Sequence, residues 1–123
     1  MSAIDWFFSI FILLPVSMQS ERLDKILEML KTSPEDTFLL YAAAMEYEGS
    51  GKTGEALQFF KEVLRIDPSY LSAYYRLGYL LQEAHPSEAK AWLESGIALA
   101  REKKDAKTER EMRQLLEEVE ENI

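Results

Sequence analysis

A chain of 123 residues is long enough to bury one real core and gives no sign of a second domain. Its formal charge of -8 opposes nucleic-acid binding, because affinity for phosphate comes largely from Lys and Arg. The absence of cysteine excludes a disulfide framework, a thiolate zinc site and a cysteine nucleophile, and it fits a reducing, cytoplasmic compartment.

The chain opens on an apolar block, Trp6 to Leu14, interrupted by Pro15. It is about half the roughly 20 residues that a membrane-spanning helix requires. Its length suits a signal peptide better, but Asp5 precedes it, with no Lys or Arg and no clear cleavage site after it. Residues 1–17 therefore read in three ways: an over-extended start before Met18, an export signal, or a membrane anchor using residues 4–16. Residues 18–123 read as one domain whatever the role of that segment, and a membrane partner is expected only if residues 1–17 are retained.

Past Met18 the apolar residues recur at three and four spacing, with almost no alternation, so the chain is expected to be all-α. Leu23, Ile26, Leu27 and Leu30 form the first stripe. Ser20 suits its N-cap, and Pro34 stops it by pushing the preceding residue out of the α region, giving a helix at about 20–32. Leu40, Ala43, Ala44 and Tyr47 form the next, at about 36–49, entered through Asp36 and left at Gly49-Ser50-Gly51. Ala56, Leu57, Phe60, Val63 and Leu64 predict a third helix at about 53–66, ending at Asp67-Pro68. Two helices joined by a short glycine turn make an antiparallel hairpin. Further helices are expected at about 70–84, 87–103 and 106–121. The last carries Met112, Leu115, Leu116, Val119 and Ile123 on one stripe and charges elsewhere. That pattern suits a capping helix with one wet face.

The spacing between these helices repeats. Pro34 to Pro68 is 34 residues, and so are Leu40 to Tyr74, Tyr41 to Tyr75, Ala44 to Gly78 and Tyr47 to Leu81. After the second turn the offset is 33: Ala56 matches Ala89, Phe59 matches Trp92 and Phe60 matches Leu93. Ala44, Gly78, Ala56 and Ala89 fall where two helices of a hairpin must approach closely, so large side chains there would push them apart. Leu40, Tyr47, Phe60, Tyr74, Leu77 and Leu93 fill the space beside that contact.

A helix-turn-helix unit with a period of 34 resembles the tetratricopeptide repeat. Its first copy, 37–70, reads Leu40, Ala43, Ala44, Tyr47, Ala56, Phe60, Val63 and Pro68. The second, 71 to about 103, reads Tyr74, Leu77, Gly78, Leu81, Ala89, Leu93 and Gly96. It departs from the pattern in Leu81, where an aromatic is usual, in a turn shorter by one, and in lacking a closing proline. The resemblance covers about two repeats, with a half repeat before and the capping helix after. It implies antiparallel hairpins stacked as a short right-handed α-solenoid.

Chemistry finds little support in the residues. His85 sits in a turn beside Pro86, and Glu83 and Glu88 make no recognisable metal spacing. Gly49 to Gly54 lacks the spacing and the preceding strand of a phosphate-binding loop. Glu46 and Glu48 point in different directions, and the acids at 117–121 read as a solvated face. No enzyme, no metal and no cofactor is therefore expected.

Binding has the better case. Tyr41, Met45 and Glu48 lie about a quarter turn from the core stripe of their helix, and Tyr75, Tyr79 and Gln82 duplicate them. The resemblance implies that first helices of the repeats line a concave surface for extended peptides or partner helices. Carried over by position, the groove residues are Phe38, Tyr41, Met45, Glu48, Tyr75, Arg76, Tyr79 and Gln82. The tyrosines serve equally well as packing between repeats. Some members of the family clamp C-terminal carboxylates with lysine, asparagine and arginine; here Tyr41 and Met45 stand at those positions and Arg76 is the cation left. An aromatic, methionine-bearing groove instead favours an apolar or proline-bearing peptide, or a helix. The expected partner is a protein or peptide rather than nucleic acid. Two repeats also expose edges that longer arrays cover, which leaves a homodimer open.

Overall fold

The computed structural model describes residues 21–123, so the apolar block at 6–14 and Ser20 lie outside the described residues. Among the described residues there are six helices and no strand. They are α1 through residues 21–32, α2 (Thr37–Gly49), α3 (Thr53–Ile66), α4 (Leu71–Leu81), α5 (Pro86–Glu102) and α6 (Ala106–Glu120). None of these helices is long and apolar enough to cross a membrane.

Each boundary has a local cause. Asp36 caps α2: its carboxylate accepts from the amides of Phe38 at 3.0 Å and Leu39 at 3.2 Å. At the other end of α2, the amide of Lys52 donates to the Tyr47 carbonyl and that of Gly51 to the Glu48 carbonyl. This paired closure needs a left-handed residue at its turn, and Gly51 supplies it with φ 76°. Helix α5 ends in the same way, through Asp105 to Ala100 and Lys104 to Arg101. Here, however, the left-handed residue is Lys104, with φ 60°, the one such non-glycine among the described residues.

The expected helix at 70–84 is shorter, because α4 stops at Leu81 and residues 82–84 form a turn. His85 precedes Pro86 and takes an extended φ of -138°, so the helix has to end before it. Pro86 then opens α5, where its missing amide would have had no helical partner.

Helix α2 packs on α3 and α4 on α5, giving two antiparallel hairpins, while α3 to α4 and α5 to α6 make the joints. At the hairpin crossings Ala43, Ala44, Ala56 and Ala89 are wholly buried. A Cβ on Gly78 would fall 2.5 Å from two atoms of Leu93, so the close approach read from the sequence is present in space. Phe60, Val63, Leu77, Leu93, Met112 and Val119 form the continuous interior beneath it. Leu23, Ile26 and Leu27 of α1 pack against the same core, and Leu30 is buried in it.

The joint at Asp67-Pro68 is held by four hydrogen bonds. The Asp67 carboxylate accepts from the Ser69 amide at 3.0 Å and hydroxyl at 2.6 Å, fixing the turn. The Tyr74 hydroxyl donates to the Pro68 carbonyl at 2.6 Å, and the Lys103 ammonium to the Ser69 carbonyl at 2.6 Å. A helix break in the sequence is thus a clamped corner between repeats.

Candidate functional site

Helices α2, α4 and α6 border one shallow trough. Its first part, about 380 Å³, is lined by Tyr41 from α2, by Leu71, Ser72, Tyr75 and Arg76 from α4, and by Asp105, Thr108 and Glu111 from the start of α6. Its second, about 200 Å³, lies between Tyr75 and Tyr79 on one side and Glu111, Gln114, Leu115 and Glu118 on the other. Tyr75 belongs to both parts. A further hollow of about 220 Å³ continues past Tyr79 to Leu80, Gln82 and Glu83 of the α4 end and Thr53 of α3.

The helical period explains the arrangement. Tyr75 and Tyr79 are four apart, so their rings lie one above the other along α4. Phe38, Tyr41 and Met45 share a stripe on α2 by the same rule. Phe38 is 72% exposed, Met45 40% and Tyr79 47%. Tyr41 is different: its ring sits 5.3 Å from Phe60, edge on, and 5.0 Å from Tyr70, at the seam between repeats. It is therefore half packing and half lining. Tyr75 is half-buried as well, and burial together with the nearby Glu111 and Glu118 carboxylates pushes its phenol up.

Glu48 and Arg76 are brought together across the repeats. Arg76 donates from both Nε, at 3.0 Å, and Nη2 to the two Glu48 oxygens, and the side chains are only 18% and 22% exposed. The Arg76 guanidinium also lies 5.1 Å from the centre of the Tyr79 ring. The cation expected to be left for a partner's carboxylate is thus already paired within the protein. Gln82 sits at the end of α4, where its amide donates to the Tyr79 carbonyl at 3.0 Å and its own carbonyl accepts from Asn122 at 3.3 Å. It closes the helix more than it faces the trough.

Sequence reasoning missed the third wall. Helix α6, the expected capping helix with one wet face, packs on α5 and touches α4, where the first helix of a third hairpin would lie. Glu111, Gln114 and Glu118 face Tyr75 and Tyr79 from it. The signal was present: these three residues follow the three and four spacing and border the buried stripe of Met112, Leu115 and Val119. Ser72 and Thr108 were missed because a small hydroxyl residue carries no mark of a lining position.

Among the described residues no group of three or more His, Cys, Asp or Glu side chains could hold a metal ion. His85 is exposed at the head of α5.

Stacked helix hairpins with their alternate helices along one trough define a short α-solenoid of the helical-repeat class. No family model matches the chain. The solution structure of a tetratricopeptide repeat domain protein from Salinibacter ruber is 33% identical, with a TM-score of 0.66 over 71% of this chain and 89% of that one. The TPR2B domain of yeast Sti1, solved in complex with pHsp70, shares the fold at a TM-score of 0.76, 20% identity and 90% coverage of both chains. The RNA polymerase-associated protein CTR9 of Caenorhabditis elegans is 32% identical over 71 residues, which span 54% of this chain and 6% of that protein. The chain belongs to the tetratricopeptide-repeat family.

Proposed function

We propose that the chain is a non-enzymatic protein–protein interaction module, a scaffold or adaptor, that holds a peptide or helix of a partner along the trough of α2, α4 and α6. One observation carries this reading. Phe38, Met45 and Tyr79 stay exposed on helices that each bury one stripe in the core. Exposed large side chains of this kind mark interaction sites, and tyrosine gives contact area with little rotamer entropy to lose. The capture of pHsp70 by the related fold of Sti1 supports the use of this fold for holding protein segments.

Tyr79→Ala and Met45→Ala test the reading, because both side chains are exposed and their loss leaves the core intact. Affinity capture from native extract is expected to lose the same partner with each variant, while Glu94→Ala on the outer side of α5 retains it. Far-ultraviolet circular dichroism should be unchanged in all three. Full capture by both trough variants would remove the trough from consideration.

A further inference from the structure

The electrostatics of the trough select among partners. Resting on the interaction reading above, we infer that the segment held there is basic, carrying lysine or arginine side chains against the tyrosine faces and the α6 carboxylates.

Three observations carry this. First, the trough carries two carboxylates on its α6 flank, Glu111 and Glu118. Its cation, Arg76, is consumed by Glu48. Second, Glu111 and Glu118 take part in none of the ion pairs among the described residues, so both carboxylates are open to a partner's cation. Third, these two acids stand beside Tyr75, and Glu118 beside Tyr79 as well. A cationic side chain placed there meets an aromatic face and a carboxylate together, as Arg76 does with Tyr79 and Glu48. The formal charge of -8 on the whole chain adds long-range attraction for a basic segment and repulsion for an acidic one. An acidic C-terminal tail, by contrast, would meet Glu111 and Glu118 with no free cation to offset them.

Selection from a displayed library of random 12-residue peptides tests this without assuming a partner. The probes are the wild-type chain, Tyr79→Ala, and the double variant Glu111→Gln/Glu118→Gln. Both glutamates are exposed, so the double variant keeps the fold. Enriched peptides are expected to carry a net positive charge, to be lost with Tyr79→Ala, and to bind the double variant on the order of tenfold more weakly, since two ion pairs are lost together. Raising the salt from 0.05 to 0.5 M should weaken wild-type binding and remove most of the difference between the two. Peptides that are neutral or acidic, yet lost with Tyr79→Ala, would overturn the basic specificity and leave the trough as the site. No enrichment, or enrichment indifferent to Tyr79→Ala, would overturn the interaction reading itself.

Discussion

Gly96→Ala is expected to destabilise the protein, although alanine is the better helix former. Gly96 lies inside α5, and a Cβ there would fall 2.6 Å from the Met112 sulfur and 2.7 Å from Tyr74 Cβ. The methionine can swing aside, but Tyr74 Cβ moves only with the backbone of α4. Relief therefore has to come from shifting α4 or α6 against α5. Overpacking of that kind costs about 2–3 kcal/mol in a close-packed core. The gain in helix propensity offsets about 1 kcal/mol of it, leaving a net loss of about 1–2 kcal/mol. For a domain of this size that lowers Tm by roughly 5–15 °C. Gly54→Ala is the matched control: it is also helical, at the start of α3, and nothing lies within 4 Å of its Cβ position. It should gain about 0.5 kcal/mol or more. Urea denaturation followed by circular dichroism measures both, with an unchanged m-value showing that the transition remains comparable. If Gly96→Ala proved as stable as Gly54→Ala, the close contact of α4, α5 and α6 would be wrong.

Three further outcomes follow from local geometry. Lys104→Gly should stabilise by about 1 kcal/mol by relieving the left-handed backbone at the end of α5, and Gly51→Ala should lose a similar amount, both read from urea midpoints. A double-mutant cycle on Glu48→Gln and Arg76→Gln should give a coupling of about 1 kcal/mol in thermal denaturation, above the value of an exposed pair because both side chains are largely covered. Asp67 and Asp105 are held below the ordinary carboxyl value of 3.8 by hydrogen bonds from Ser69 and Thr108. A carboxyl depressed on folding stabilises above its unfolded pKa, and that contribution fades as the pH falls through the folded one. The stability advantage of the wild type over Asp67→Asn/Asp105→Asn should therefore be constant at neutral pH and shrink below about pH 4, as acid-dependent urea midpoints would show.

The repeat was legible in the sequence because it rests on short-range steric demands. Proline at the joint, alanine or glycine at the hairpin crossing, and a glycine able to turn left-handed at residue 51 each leave one residue type in a fixed place. Lys104 was illegible for the same reason: it occupies a left-handed position without the glycine that announces one. The pairing of Glu48 with Arg76 spans 28 residues and depends on how two hairpins stack, which spacing along one helix does not specify. Tyr41 shows a related limit. Helical angle placed it on the groove face, while its packing on Tyr70 arises from the corner that Asp67 and Ser69 fold. Glu111 and Glu118 of α6 are exposed, as their pattern implies, but their nearness to Tyr75 depends on a second helix, which the spacing along α6 does not specify.

The proposed docking of a partner segment along α2, α4 and α6 can be followed residue by residue. Its most direct test is a titration of the isotope-labelled chain with a peptide from the selection, followed by backbone amide shifts in proton–nitrogen correlation spectra. The shifts are expected to concentrate at Tyr41, Met45, Tyr75, Tyr79, Glu111 and Glu118. Shifts confined to the exposed positions of α3 and α5, such as Gln58 and Glu94, would contradict it.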